Sequence, residues 1–399
     1  MKRKCWLWLM VALLLVGCTR VPMGGPTKTP DPEQPAVYES YWAYRCLTAE
    51  QQQNYAAVYA AVENGFAEDT LVTITSKDTT SSVQGLSVTL PVPLSSEEEV
   101  RYLYDAFMQD NPAFFHIGNV YGYDGRQYGD ERRITALKLT YTMSAAERAA
   151  AQTAVGQVKD AALASLRAGM TDFEKELALH DALVGRCEYD TLAAESDDPL
   201  TNYTASFTVY GALVKGKAVC EGYARAMQYL LNEAGIEATV VTGYDSEGQP
   251  HLWNAVKPEG MLYYLDATWN DTDTLGTYTY FNLNTEELLR SHRFDERTVG
   301  LETATETALN YYRQTNAYLD TLRIEDLAEC IAARLAEGEC AHLRFTDAAF
   351  DNAHFFVKST AWFVDTVNAC RPEGAAEIEG YVYTCDKTYK TITICKKTS

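Results

Sequence analysis

Residues 216–270 read GKAVCEGYARAMQYLLNEAGIEATVVTGYDSEGQPHLWNAVKPEGMLYYLDATWN, and the fold of the chain turns on them. Val219 to Ala234 carries a helical pattern, with Tyr223, Met227, Leu230 and Ala234 on one stripe. Gly235 follows as a stop signal. Cys220 therefore falls in the first turn, where unpaired backbone N–H groups and the positive dipole end favour a thiolate. Ile236 to Tyr244 is rich in β-branched residues and predicts a strand. After a polar loop, His251 to Val256 and Met261 to Thr268 predict two more strands. Lys257-Pro258-Glu259-Gly260 is the hairpin loop between them. If Val256 and Met261 close that hairpin, His251 lies directly opposite Asp266, with Cβ atoms about 4.5–5.5 Å apart. A carboxylate so placed orients an imidazole, fixes its tautomer and stabilises the imidazolium. A slip of one residue would separate the pair.

A cysteine at a helix start, with a His–Asp pair on neighbouring strands, is the layout of a papain-like thiol catalyst. The segment resembles the transglutaminase-like superfamily. The matching blocks are Val219-Cys220-Glu221-Gly222-Tyr223, then His251-Leu252-Trp253-Asn254, then Leu265-Asp266-Ala267-Thr268-Trp269. They occur in order and at family-like spacing, within roughly Thr171 to Asp295, about a third of the chain. The resemblance implies an α+β papain-like core in which a helix bearing the cysteine packs on an antiparallel sheet bearing histidine and aspartate. It implies Cys220 as nucleophile, His251 as general base and acid, and Asp266 as orienting carboxylate. Tyr210, Tyr223 and Trp253 are candidates for lining the substrate site. A chain that keeps the fold as an inert binding surface is the alternative from another functional class.

Outside this stretch the sequence divides into further segments. Residues 1–18 form a targeting segment, with Lys2-Arg3-Lys4 before a short apolar run, Cys5 to Val16. Leu15-Val16-Gly17-Cys18 resembles a bacterial lipobox, which implies cleavage before Cys18 and its lipidation. The acyl chains would anchor the protein on the extracytoplasmic face of the cell membrane. Residues 19–37, with five prolines between Pro22 and Pro35, predict a disordered stalk. Loss of Lys2, Arg3 and Lys4 takes the formal charge from −21 to −24. So acidic a surface repels phosphate backbones and excludes nucleic acid as a natural partner.

Residues 38–143 predict an α+β domain. Strands fall at 71–75, 86–94 and 134–143, and a helix opens with the capping pair Ser96 and Glu99 and stops at Asn111-Pro112. The catalytic domain is drawn over 144–300. Ser144 with Glu147 and Thr171 with Glu174 open two further helices, the first reaching about Arg167 and the second covering Asp172 to Val184. His116 and His180 have no matched partners and predict packing roles. The role of His292, after a helical turn at 286–290, is not readable. Asp271 and Asp273 share a loop that reads as solvated rather than as a calcium site. No HExxH or paired CxxC is present, so neither a metal nor another cofactor is expected.

Residues 301–399 predict a small α/β appendage. Two helices fill 302–336 with a break near 321–325, a helix runs 348–369, and strands fall at 341–345 and within 377–395. Seven cysteines remain beyond Cys5, Cys18 and Cys220. An odd number cannot all pair within one chain. Cys385 and Cys395 lie on one hairpin, and with a loop at 386–389 Cys395 would face Gly380, too far from Cys385 for a bridge.

The activity this predicts is attack of the Cys220 thiolate on a peptide or glutamine amide carbonyl, giving an acyl-thioester. Water as second substrate makes a peptidase or amidase, which the resemblance to bacterial relatives favours. An amine makes a cross-linking transferase.

Overall fold

The computed structural model describes residues 40–75, 80–271, 276–295, 297–320 and 323–397. The targeting segment, Cys18 and the stalk lie outside the described residues. The chain divides into two compact units, one running to Ala255 and taking in Arg293–Glu302, the other made of Val256–His292 and the residues from Thr303 on. Both mix helix and sheet, so the chain is α+β.

The first unit opens with an antiparallel sheet in the order 71–75, 80–94, 131–141, 117–128. Alternation along Leu86–Leu94 buries Val88, Leu90 and Leu94, which pack with Tyr55, Val58 and Val62 of the helix Ala49–Gly65 and with Phe107 of the helix Glu97–Asp110. The ladder shifts register between Thr89 and Leu94. Pro91 and Pro93 lie in that interval and cannot donate to a ladder. Ser144 and Thr171 form the full capping boxes their spacing predicts, opening helices Ala145–Ala164 and Asp172–Val184. Ser96 forms half of one. It accepts from Glu99 N at 3.2 Å, but the Glu99 carboxylate turns to Ser95 N and Oγ, at 2.7 and 2.9 Å.

The helix Cys220–Glu233 follows, ended by Gly235 at φ 82°. Strands Glu237–Asp245 and Pro250–Lys257 come next, one residue from the positions the sequence predicts. In this unit residues 293–294 flank the first of these strands on the side away from the second.

The second unit corrects the last strand of the core. Extended structure covers only Tyr263–Leu265, not Met261–Thr268, and Ala267–Asn270 is a turn of helix. The cause is Asp266 itself, whose Oδ1 accepts from Trp269 N at 3.1 Å and caps that turn. The loop before it is a 3-10 turn, Pro258–Gly260, with Glu259 at φ 53°.

From residue 318 on, this unit is a sheet in the order 318–319, 340–345, 391–396, 381–386 packed with the helices Ile324–Glu337, Asp347–Lys358 and Thr360–Ala369. The single helix expected over 348–369 breaks at Ser359. Its hydroxyl donates to Phe355 O at 3.1 Å, a local bond that competes with the helical ladder. Residues 302–310 are not helical, and among the described residues from 302 to 323 the only helical turn is Tyr311–Gln314. The terminal hairpin closes at Asp386 and Thr391, so Val382 rather than Gly380 faces Cys395. Cys340 pairs with Cys395 across neighbouring strands, and the two form a disulfide.

Candidate functional site

The nucleophile helix begins without a side-chain cap. Val219 occupies the N-cap in extended conformation, so no side chain takes the first-turn N–H groups. Val219 N donates to Ser206 O at 2.9 Å. Gly222 fits this start because Ser206 and Ala218 leave no room for a side chain. A Cβ there would lie 2.5 Å from Ser206 O and 2.8 Å from the Ala218 Cβ. Gly222→Ala is expected to destabilise the fold by about 1–3 kcal/mol through overpacking. It would also slow alkylation of Cys220 by iodoacetamide. Urea denaturation and mass spectrometry check the two effects, and an unchanged alkylation rate would mean that Cys220 does not depend on this close approach.

Further along, the helix is fixed on several sides. Tyr223 donates to Cys187 O at 2.8 Å, and Gln228 Nε2 to Gln109 O at 2.7 Å. Arg225 donates to Met108 O at 2.7 Å and pairs with Glu221 at 2.9 Å. Asn254 Nδ2 joins the helix to the sheet, donating to Ala224 O at 2.8 Å and Thr239 O at 3.3 Å. These bonds tie the helix to the segments that precede it and to the strand that carries Asn254, which Thr239 O in turn ties to its neighbour.

Cys220 and His251 line one small cavity of about 40 Å³ within the first unit. His251 is 4% exposed, and the Trp253 ring backs it with centroids 5.9 Å apart. Gly243 also borders the cavity, and a Cβ on it would run into the Trp253 ring at 2.4 Å and Arg293 O at 2.1 Å. Tyr189, Asn119 and Arg297 line the cavity, whereas the expected Tyr210, Tyr223 and Trp253 do not. Tyr210 stacks on Phe115 at 5.9 Å, and Tyr223 is fully buried. Arg297 is held by Asp295 through Nε and NH2 at 2.8 and 2.6 Å. Burial opposes ionisation of Asp295, but those hydrogen bonds prevail and hold its carboxyl below the usual range.

Asp266 lies in the second unit, 1% exposed, with a neighbour the sequence did not indicate. Its Oδ2 is 3.2 Å from Nε2 of His292, which is fully buried. Nδ1 of His292 is 2.8 Å from Ser291 Oγ, and Ser291 Oγ is 2.6 Å from the Tyr389 hydroxyl. That hydroxyl is 3.0 Å from Glu287 O. Burial pushes the Tyr389 hydroxyl well above its ordinary pKa. A buried polar chain thus runs from Asp266 to the terminal hairpin. Sequence distance hid it, since Tyr389 stands 98 residues beyond Ser291.

The other histidines have plainer settings. His116 is buried among Phe66, Phe114, Phe115 and Tyr141, and neither ring nitrogen has a hydrogen-bond partner among the described residues. Burial, helped by Arg148, pushes it down to about 3, so it packs as a neutral ring. His180 is buried on its helix with Nδ1 3.0 Å from Asp181. Asp271 ends the turn that Asp266 caps, and Asp273 lies outside the described residues.

The family model of the transglutaminase-like superfamily matches residues 160–273, which include Cys220, His251 and Asp266. This segment belongs to the transglutaminase-like superfamily. Human kyphoscoliosis peptidase is 30% identical over 132 residues, 30% of this chain and 19% of that protein. The mouse protein of the same name is 30% identical over 115 residues, 26% and 17% of the two chains. The chain therefore spans about a fifth of the length of the curated relatives it matches. Among solved structures, one described as a TGase aligns over 39% of this chain and 46% of its own, at 17% identity and a TM-score of 0.28.

Proposed function

We propose that the chain is an extracytoplasmic, lipid-anchored thiol enzyme that acts on protein or peptide amide bonds through an acyl-thioester on Cys220. The observation that carries this reading is the shared cavity. It brings a cysteine at an uncapped helix start and a buried histidine on a neighbouring strand to one opening, inside the segment matched by the family. In this reading Cys220 Sγ attacks the amide carbonyl carbon, and the tetrahedral oxyanion is met by first-turn backbone N–H groups. His251 delivers a proton to the departing amine. Asp266 orients His251 and carries the counter-charge. Water then attacks the thioester, with His251 as base, and releases the acid and the thiol. Hydrolysis is favoured over transfer to an amine, in keeping with the name of the human and mouse relatives.

Mass spectrometry of glutamine-containing peptides, with and without a primary amine, tests the reaction. Cleavage or deamidation that ignores the amine is the expected result. Amine incorporation would make the protein a transferase. No product under any condition, together with an inert Cys220, would leave the binding-surface reading.

Anchoring has its own test. Cys18→Ala is expected to release the protein from membranes without changing its melting temperature. Equal recovery of both proteins in salt-washed membranes would count against lipidation. Among the described residues no helix is long and apolar enough to cross a membrane. The Cys340–Cys395 disulfide suits an oxidising compartment.

A further inference from the structure

A cavity of about 430 Å³ lies in the first unit away from Cys220. It shares no lining residue with the cavity that holds Cys220 and His251. Its walls are residues between 40 and 45, Tyr59, residues 110–114, the far end of the helix Cys220–Glu233 and residues 235–238. Gln228, one of these residues, stands about two turns along the helix from Cys220, roughly 12 Å at 1.5 Å per residue. The volume falls in the range of small-ligand sites, about 300–1,000 Å³.

Every charged residue of this lining has a partner among the described residues. Arg45 pairs with Glu237, and Glu233 with Lys159 at 2.9 Å. Asp110 accepts from Ala43 N and Tyr44 N, both at 2.8 Å, and from the Tyr55 hydroxyl at 3.1 Å. Such a lining suits a neutral occupant. Tyr41, Tyr59 and Phe114 form an aromatic strip in it, with centroids 6.3 Å apart for the first pair and 5.3 Å for the second. All three are half-buried and keep part of their surface open.

One buried polar atom is left over. Gln228 is 1% exposed, and its Nε2 donates to Gln109 O at 2.7 Å, outside the lining. That bond fixes which end of the amide is nitrogen, because a carbonyl oxygen accepts only from a donor. Gln228 Oε1 has no hydrogen-bond partner among the described residues. A buried acceptor without a donor is costly, and an occupant that brings one removes the cost. An N–H suits the position better than a hydroxyl, whose own lone pairs would be stranded with the Gln228 donor already spent.

We propose that this cavity binds a neutral N-acetylhexosamine, with its pyranose face on the Tyr41–Tyr59–Phe114 strip and its acetamido N–H donating to Gln228 Oε1. The C–H face of a pyranose carries slight positive charge and matches the negative face of an aromatic ring. Pro112, Ala113 and Ile236 offer apolar surface to the acetamide methyl. The site would hold the protein on glycan-bearing material and leave the Cys220 cavity open. It stands or falls separately from the thiol-enzyme reading.

The test is isothermal titration of the full-length protein with three probes. N,N′-diacetylchitobiose carries both the ring faces and the acetamides. Cellobiose has the same two linked rings with a hydroxyl in place of each acetamide. N-acetyl-dialanine amide has N–H donors and no pyranose. Diacetylchitobiose is expected to bind saturably and about ten-fold more tightly than cellobiose, the scale of one satisfied buried acceptor, and the peptide is expected not to bind. Gln228→Met should bring the two sugars to within about two-fold of each other. Tyr59→Ala should weaken both by about 3–10-fold through the lost ring face. If Gln228→Met fails to fold, the comparison of probes on the parent protein and Tyr59→Ala decides. Alkylation of Cys220 by iodoacetamide should keep its rate in saturating diacetylchitobiose. No saturable binding of that sugar, equal affinity for cellobiose, or equal affinity for the peptide overturns the proposal. So do affinities that neither variant moves, and so does slowed alkylation, which would put the sugar in the Cys220 cavity instead.

Discussion

Cys220→Ala is expected to cut amide turnover by about 10⁴-fold or more, the scale seen when a covalent nucleophile is removed. The fold should survive. The Cys220 sulfur is half-buried and makes no hydrogen bond among the described residues, so its removal costs little beyond one atom's transfer to water. The helix beneath it is fixed by Tyr223, Arg225, Gln228 and Asn254 through hydrogen bonds that do not involve the sulfur. Turnover and the urea midpoint, measured on the same preparation, separate catalysis from folding. An unchanged midpoint with lost turnover supports the nucleophile. Retained turnover excludes it. Loss of both would place Cys220 among the packing residues.

The parts of the fold that were legible in the sequence are those written within a few residues. The helix over 220–233 shows as a stripe with a glycine stop, and the helix over 172–184 as a capping box. His251 was located because its block recurs in a known family. The parts that escaped depend on closure across distance or on one side chain's choice. Asp266 sits in a run of apolar and aromatic residues, so periodicity assigns it to a strand. Its own carboxylate instead caps a turn at Trp269 N. That signal, an aspartate three residues before an acceptor-less N–H, was available but weaker than the strand pattern. The terminal hairpin turns one residue later than expected, over 387–390 rather than 386–389, and Lys390 in that turn adopts φ 56°, a conformation sequence rarely assigns to lysine. The Cys340–Cys395 bond follows from a pairing 55 residues apart, which cysteine spacing cannot single out. His292 escaped for the same reason, since its partners are Asp266 and, through Ser291, Tyr389.

Asp266→Asn is expected to lower kcat by about 10²–10³-fold in the proposed mechanism. The analogous change in a serine protease costs roughly 10⁴, and a thiol needs less help to ionise than a hydroxyl. The buried chain at His292 makes the experiment more informative. Its four contacts link Asp266, His292, Ser291, Tyr389 and Glu287 O. Four hydrogen bonds need four protons. A neutral imidazole, one serine and one tyrosine supply three, so the fourth comes either from an imidazolium at His292 or from a protonated Asp266 carboxyl. Asp266 then has two duties. One of its oxygens meets His292 and the other accepts from the Trp269 N–H. If the His292 pair were its sole duty, Asp266→Asn would break this buried pair and cost stability, up to about 3–5 kcal/mol where the pair is charged. His292→Gln would then reduce activity in the same proportion, through unfolding. If Asp266 also orients His251, the two variants part company. Asp266→Asn loses kcat well beyond its unfolded fraction, while His292→Gln loses stability and keeps most of the kcat of the folded molecules. The Asp266→Asn/His251→Ala double variant should lose far less than the product of its single losses, because the two residues act on one proton transfer. Multiplicative losses would remove Asp266 from the catalytic unit and leave it as the anchor of His292.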